Sequence, residues 1–234
     1  MLFELRRFSA KLWVAFWRSG PVSLTTVVQC ALAAFFSATI VFLMVPEVDV
    51  AASAVFYTAG QFSGRTSSVE AIREAFKAIY IGALLIAFGA VWYGCQRRRD
   101  FLGLSPAAWL VVASTLVAGP GLVANVLLKN ELGRARPIQT ELFGGDKMFT
   151  PPLVRTNQCE QNCSFISGEA SSIFAVFFAF AVVAGRWARA LIAGGLCFGI
   201  LAGLVRMAQG AHFLSDVVFA GIFMALTAAL MRFV

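Results

Sequence analysis

ALIAGGLCFGILAGLVRMAQGAHFLSD, residues 190–216, decides how the rest of the chain is read. Its first sixteen residues carry no charge. They end at Arg206, with His212 six positions on and Asp216 four beyond that. An uncharged apolar run that stops at a cation, an imidazole and a carboxylate describes a bilayer helix with polar chemistry at its end. His212 and Asp216 fall on one face of a helix, one turn apart.

Composition extends that reading to the whole chain. Hydrophobic residues make up 59% of the 234 positions and charged residues 13%, which a water-soluble domain of this size does not tolerate. The chain is expected to be an all-α integral membrane protein. Apolar runs occupy Leu24 to Val45, Ala78 to Gly94, Ala107 to Leu128, Ile173 to Gly185, Ala190 to Val205 and Val217 to Leu230. Spanning takes about 20 residues, so the shorter runs borrow flanking polar positions such as Glu169 to Ser172 and His212 to Asp216. Six transmembrane helices over 24–232 are expected, in a single membrane domain covering 1–234. Residues 1–20 are too charged to span, and Leu2, Phe3, Leu5, Phe8, Leu12, Trp13, Phe16 and Trp17 give a helix there one broad apolar side. That pattern predicts an amphipathic interfacial helix. Arg18 just before the first run, with no clean small-residue cleavage pattern after it, argues against a cleaved signal peptide.

The basic residues set an orientation. Ten of the nineteen, among them Arg97 to Arg99, Arg186, Arg189 and Arg232, fall on one side with only Glu4 and Asp100 for company. By the positive-inside rule that side, with both termini, is cytoplasmic. The other nine face ten acidic residues, so the net charge of +7 is dispersed over short turns and does not describe a nucleic-acid partner. The first outer connection starts at Pro46, and in it Glu70 and Glu74 precede Arg73 and Lys77 by three residues, as in a solvated helix start with local ion pairs. The second, Asn130 to Ile166, is long enough to suggest function.

Two further motifs bracket that second connection: Lys129 with Arg136-Pro137, and Ser167-Gly168-Glu169. Each motif has a plain explanation alone. Lys129 and Arg136 could snorkel at a membrane exit, Ser167 could cap a helix, Arg206 could anchor at the interface, and His212 with Asp216 could form a surface pair. Their conjunction at the outer ends of the spans, with the only histidine of the chain among them, favours a phosphoryl-transfer site of charge clamps, backbone donors and a nucleophile. Cys30, Cys95 and Cys197 lie in or beside apolar runs and are expected to be small buried hydrophobes. Cys159 and Cys163, four apart on the outer side, can bridge in an oxidising compartment, and two thiols without partner ligands make a poor metal site.

Lys129 through Pro137, Ser167 through Glu169 and Arg206 through Asp216 resemble the three signature motifs of the type 2 phosphatidic acid phosphatase (PAP2) superfamily of membrane lipid phosphatases, over roughly residues 70 to 232. The resemblance implies a six-helix membrane bundle, no metal or other cofactor, and a phosphohistidine intermediate. His212 would be the nucleophile and Asp216 its orienting partner. Lys129, Arg136 and Arg206, with Ser167 and the amide of Gly168 at a helix N-terminus, would hold the phosphoryl oxygens. One position departs: the family's second motif usually reads Pro-Ser-Gly-His, and this chain has Ile166-Ser167-Gly168-Glu169. A carboxyl group can take over the acid–base task, so Glu169 is expected to replace the histidine. The Ser-Gly-Glu form resembles the lipid A 4′-phosphatase branch.

The expected function is a lipid phosphatase of a bacterial inner membrane, with its site facing the periplasm. Lipid A is the first substrate in line, followed by phosphatidylglycerol phosphate, phosphatidic acid and undecaprenyl pyrophosphate. A lipid phosphotransferase using the same intermediate, and a non-catalytic binding or transport protein with a degenerate site, are the alternatives. None of these residues sets the oligomeric state.

Overall fold

In a computed structural model, residues 22–129 and 131–233 of the chain are described. The expected interfacial helix at 1–20 lies outside them. Helix α1, Leu24–Met44, has no charged residue and, at 21 residues, is about 32 Å long, the thickness of a bilayer core. Few of its side chains are buried in protein, which suits a helix facing lipid. Pro46 stops it. A short helix, α2 (Glu47–Ala54), follows, with Glu47 and Asp49 in the first turn where the helix dipole favours acids. A two-residue hairpin then pairs β1 (Tyr57–Thr58) with β2 (Gln61–Phe62).

Helix α3, Ser67–Arg97, is capped by Thr66 and is 31 residues long. At about 46 Å it outreaches the bilayer core, so the polar first turns with Glu70 and Arg73 project beyond the apolar stretch. Helix α4, Pro106–Leu116, opens with Ser105 as cap and Pro106 in its first turn. It continues through Leu128 as a π-helix, wound around Pro120. Proline supplies no N–H, and the Asn125 side chain donates from Nδ2 to the Pro120 carbonyl at 2.7 Å. The wide winding ends with the Lys129 N–H donating to the Ala124 carbonyl at 3.1 Å. The Gly119-Pro120-Gly121 stretch is thus also a packing notch, because a Cβ on Gly119 would stand 2.7 Å from the Met224 sulfur.

The remaining helices are α5 (Gly168–Ala181), α6 (Ala188–Ala208) and α7 (Leu214–Phe233). Helix α5 is the centre of the bundle, packed against α3, α4, α6 and α7, with Ile173, Phe174, Ala175, Phe178 and Ala179 buried. Glycines on α6 let it approach closely: a Cβ on Gly199 would lie 2.5 Å from the Phe174 ring, and one on Gly203 would lie 2.2 Å from Val217. Among the described residues five helices, counting α4 with its π continuation, are long and apolar enough to cross a membrane. The fourth expected span differs. It forms a helix of 14 residues, short of the usual crossing length, and is surrounded by other helices instead of by lipid.

Cys30, Cys95 and Cys197 are exposed on the outside of the bundle. Their apolar surroundings are the bilayer, so the expectation of side chains buried in protein is corrected.

Candidate active site

The three motifs meet at one end of the bundle. Helix α5 begins there, with the Ser167 hydroxyl accepting from the Ala170 N–H and the Ser167 N–H donating to the Asp216 carbonyl at 3.2 Å. The start of α5 is thereby fixed to the start of α7. Lys129 lies beside it: a Cβ on Gly168 would stand 3.4 Å from Lys129 Nζ and 3.3 Å from Asn125 Oδ1. Only a residue without a side chain leaves this approach to the helix amides open.

His212 sits in the turn between α6 and α7. That turn needs a glycine at 210, whose φ is +67° and where a Cβ would run 2.4 Å from the Phe62 ring. The His212 side chain is fully buried. Nδ1 lies 2.7 Å from the Ser164 carbonyl and 3.6 Å from Asp216 Oδ2, so the hydrogen bond that fixes the tautomer goes to Ser164. Asp216 stands behind it, accepting from the Ser164 hydroxyl at 2.5 Å and the Phe213 N–H at 2.8 Å. With Nδ1 donating, Nε2 carries the lone pair, and it has no hydrogen-bond partner among the described residues. Burial lowers the His212 pKa and outweighs the opposing pull of Asp216, so the ring is held neutral.

Glu169 faces that lone pair, with Oε2 3.9 Å from His212 Nε2. Its other oxygen is ion-paired with two guanidiniums, Arg73 Nε at 3.0 Å and Arg206 Nε at 3.4 Å. Arg206 is nearly buried and also donates to the Gln209 side chain. Arg136 is half-buried and donates from Nε and Nη2 to the Asn162 carbonyl at 3.1 and 2.8 Å. Asn162 lies inside the ring closed by the Cys159–Cys163 disulfide. Burial lowers the pKa of both Lys129 and Arg136, with neighbouring cations adding to it. Outward of these groups a cavity of about 410 Å³ opens, lined by Arg65, Thr66, Glu70, Arg136, Arg206 and Gln209 among others.

Sequence reasoning missed three charged members of this assembly. Arg73 was assigned to local pairing with Glu70, which it does make, yet its Nε also reaches Glu169. Arg134 is almost fully buried and bridges Asp216 at 2.6 Å and Asp49 at 2.8 Å, with its guanidinium 4.3 Å from the centre of the Phe213 ring. Asp49 has no access to solvent at all. Burial raises its pKa, and Arg134 opposes that rise. The available signal was the position of Arg134 between Lys129 and Arg136, since a third cation there has more to do than snorkel.

The sequence profile of the PAP2 superfamily matches residues 106–234. A lipid A 4′-phosphatase of Francisella tularensis subsp. novicida is 36% identical over 204 residues, which is 80% of this chain and 86% of that protein. A lipid A 4′-phosphatase of Rhizobium leguminosarum is 32% identical over 193 residues, 76% of this chain and 83% of its own length. A lipid A 1-phosphatase of Rhizobium etli is 39% identical over 170 residues, 63% of this chain and 69% of that protein. No solved structure matches. A family profile over more than half of the chain, and relatives above 30% identity along most of their length, agree with the three motifs gathered around His212: the chain belongs to the PAP2 superfamily.

Proposed function

We propose that this multi-pass bacterial membrane protein is a metal-independent phosphatase that removes a phosphomonoester from lipid A through a phosphohistidine on His212. The observation that carries the reading is the unpartnered, buried Nε2 of His212, aimed at Glu169, whose carboxylate attracts Lys129, Arg136 and Arg206. In this mechanism Nε2 attacks phosphorus in line while the cations and the α5 amides stabilise the equatorial oxygens. The bond from phosphorus to the lipid oxygen breaks as the Glu169 carboxylate, held ionised by Arg73 and Arg206, relays to that oxygen the proton carried by the phosphomonoester monoanion. Water then attacks the phosphoimidazole, Glu169 takes its proton and passes it to the phosphate released, so the carboxylate ends ionised as it began.

Lipid A is favoured by the names of the relatives, which act on its 4′- or 1-phosphate. The polar cavity outside the clamps supports the same choice, because its volume lies within the roughly 300–1,000 Å³ of small-molecule sites and it offers charged and hydrogen-bonding side chains to a sugar head group. Positive residues at Arg97 to Arg99, Arg186, Arg189 and Arg232 put the opposite end of the bundle in the cytoplasm, so the site faces the periplasm and takes lipid from the outer leaflet of the inner membrane. Helix α5 completes the six-helix bundle.

The test is phosphate release by the purified protein in detergent, with the lipid product weighed by mass spectrometry. Lipid A losing one phosphate, faster than phosphatidic acid or phosphatidylglycerol phosphate does, is the expected result. Phosphate recovered on another lipid would assign a phosphotransferase, and binding without turnover a non-catalytic protein.

A further inference from the structure

Asp49 lies in α2, in the first outer connection and ahead of the segment matched by the family profile. Everything that touches its carboxylate is a donor. Oδ1 accepts from the Ser215 N–H at 2.7 Å, and Oδ2 accepts from the Ser215 hydroxyl at 2.5 Å and from Arg134 Nη2 at 2.8 Å. The same guanidinium uses Nη1 for the Ser215 hydroxyl at 2.8 Å and for Asp216 Oδ1 at 2.6 Å. Asp49, Arg134, Ser215 and Asp216 are all closed off from solvent.

Counting charge shows what Asp49 adds. Arg134 and Asp216 alone would cancel, leaving the ring of His212 backed by a neutral group. With Asp49 the buried cluster carries one net negative charge. His212 requires it during the reaction, because Nε2 bonds to phosphorus while Nδ1 keeps its proton, and the ring becomes cationic 3.6 Å from Asp216. Away from water such a charge interacts strongly with its surroundings and is costly when uncompensated.

We propose that Asp49 is a positioning residue for phosphoryl transfer, acting through Arg134 and Ser215 to orient Asp216 and to keep net negative charge behind His212. The inference rests on the reading of His212 as nucleophile. It differs from a mere staple between α2 and α7 in what happens when charges are removed in pairs.

The experiment uses the full chain in detergent and compares wild type, Asp49→Asn, Arg134→Met and the double variant, with vanadate binding as the measure of an intact site. Asp49→Asn keeps the size of the side chain but neutralises the cluster, and kcat should fall about 10- to 100-fold while KM moves much less. In the double variant Asp216 stands alone and the net charge is restored, so kcat should rise about tenfold above Asp49→Asn. A staple predicts the reverse, since two lost contacts are worse than one. An Asp49→Asn protein with wild-type kcat, a double variant no faster than Asp49→Asn, or loss of vanadate binding in both would overturn the proposal. Failure of the phosphatase reading looks different: the wild type itself would bind vanadate and release no phosphate.

Discussion

Arg73 of α3 and Glu169 of α5, 96 residues apart in sequence, meet through a hydrogen bond from Nε to Oε1 at 3.0 Å. The residue that breaks the family pattern therefore comes with a cation of its own. Glu169→Gln keeps the size of the side chain but cannot transfer a proton, and kcat should fall about 10²- to 10⁴-fold with little change in KM. Arg73→Leu should lower kcat by a smaller factor. Because the two act on one carboxyl, the double variant should be no slower than Glu169→Gln, and fully additive losses in steady-state kinetics would refute the coupling.

Removal of the imidazole tests the nucleophile. His212→Ala should abolish phosphate release while the protein still binds vanadate, since the cations remain. Wild-type activity should persist in excess chelator and be blocked by vanadate. Turnover near the wild-type rate in His212→Ala, or activity restored only by magnesium, would contradict the mechanism.

The pH profile follows from two shifts. Attack needs a neutral Nε2, and burial lowers the His212 pKa below its ordinary value of 6.5, so the acidic limb of kcat/KM should begin below that pH. Lys129 must stay charged, and burial lowers its pKa from the ordinary 10.5, so loss of the clamp should begin on the alkaline side below that value. Activity falls as pH drops through the first and as pH rises through the second. Rate profiles of wild type and Lys129→Gln check this: the variant should be weak throughout and lack the alkaline limb.

Reduction of the Cys159–Cys163 bridge should act on binding. The ring it closes holds the Asn162 carbonyl that accepts from Arg136, so a loosened ring frees a phosphate clamp. Cys159→Ser with Cys163→Ser should raise KM several-fold with a smaller change in kcat, and the thermal midpoint should move only slightly, because so short a loop stabilises the chain little. Rapid labelling of both thiols in native, unreduced protein would show that no bridge forms.

The apolar runs were legible because length and hydropathy are local properties, and the helices found begin and end within a few residues of them. Helix α5 is the exception, at Gly168–Ala181 against the expected Ile173 to Gly185. Helix α3 begins ahead of its apolar run, at Ser67, and there the three-residue spacing of Glu70 and Glu74 from Arg73 and Lys77, not hydropathy, marked the polar turns as a helix start. The gathering of Lys129, Arg206 and His212 was also legible, since each sits at the end of a run on the same side. What the sequence hid was pairing at long range. Arg73 had a satisfactory partner three residues away in Glu70, so nothing called for Glu169. Nothing in the sequence around Asp49 marks it, and only the tertiary fold brings it to Arg134 and Ser215, 85 and 166 residues later. Ser164 was overlooked because its contribution to His212 is a carbonyl, which every residue possesses.

The site draws side chains from α2, from α3, from Lys129 and the connection after it, from α5, and from the α6–α7 hairpin. During biosynthesis these segments emerge in that order, and the last to arrive carries Arg206, His212 and Asp216. A nascent chain with its first helices already inserted holds Lys129, Arg136 and Glu169 but lacks Arg206 and the proposed nucleophile, His212. On that mechanism hydrolytic competence switches on in one step, when the final hairpin enters the membrane, and immature chains do not act on lipid during their passage through the insertion machinery.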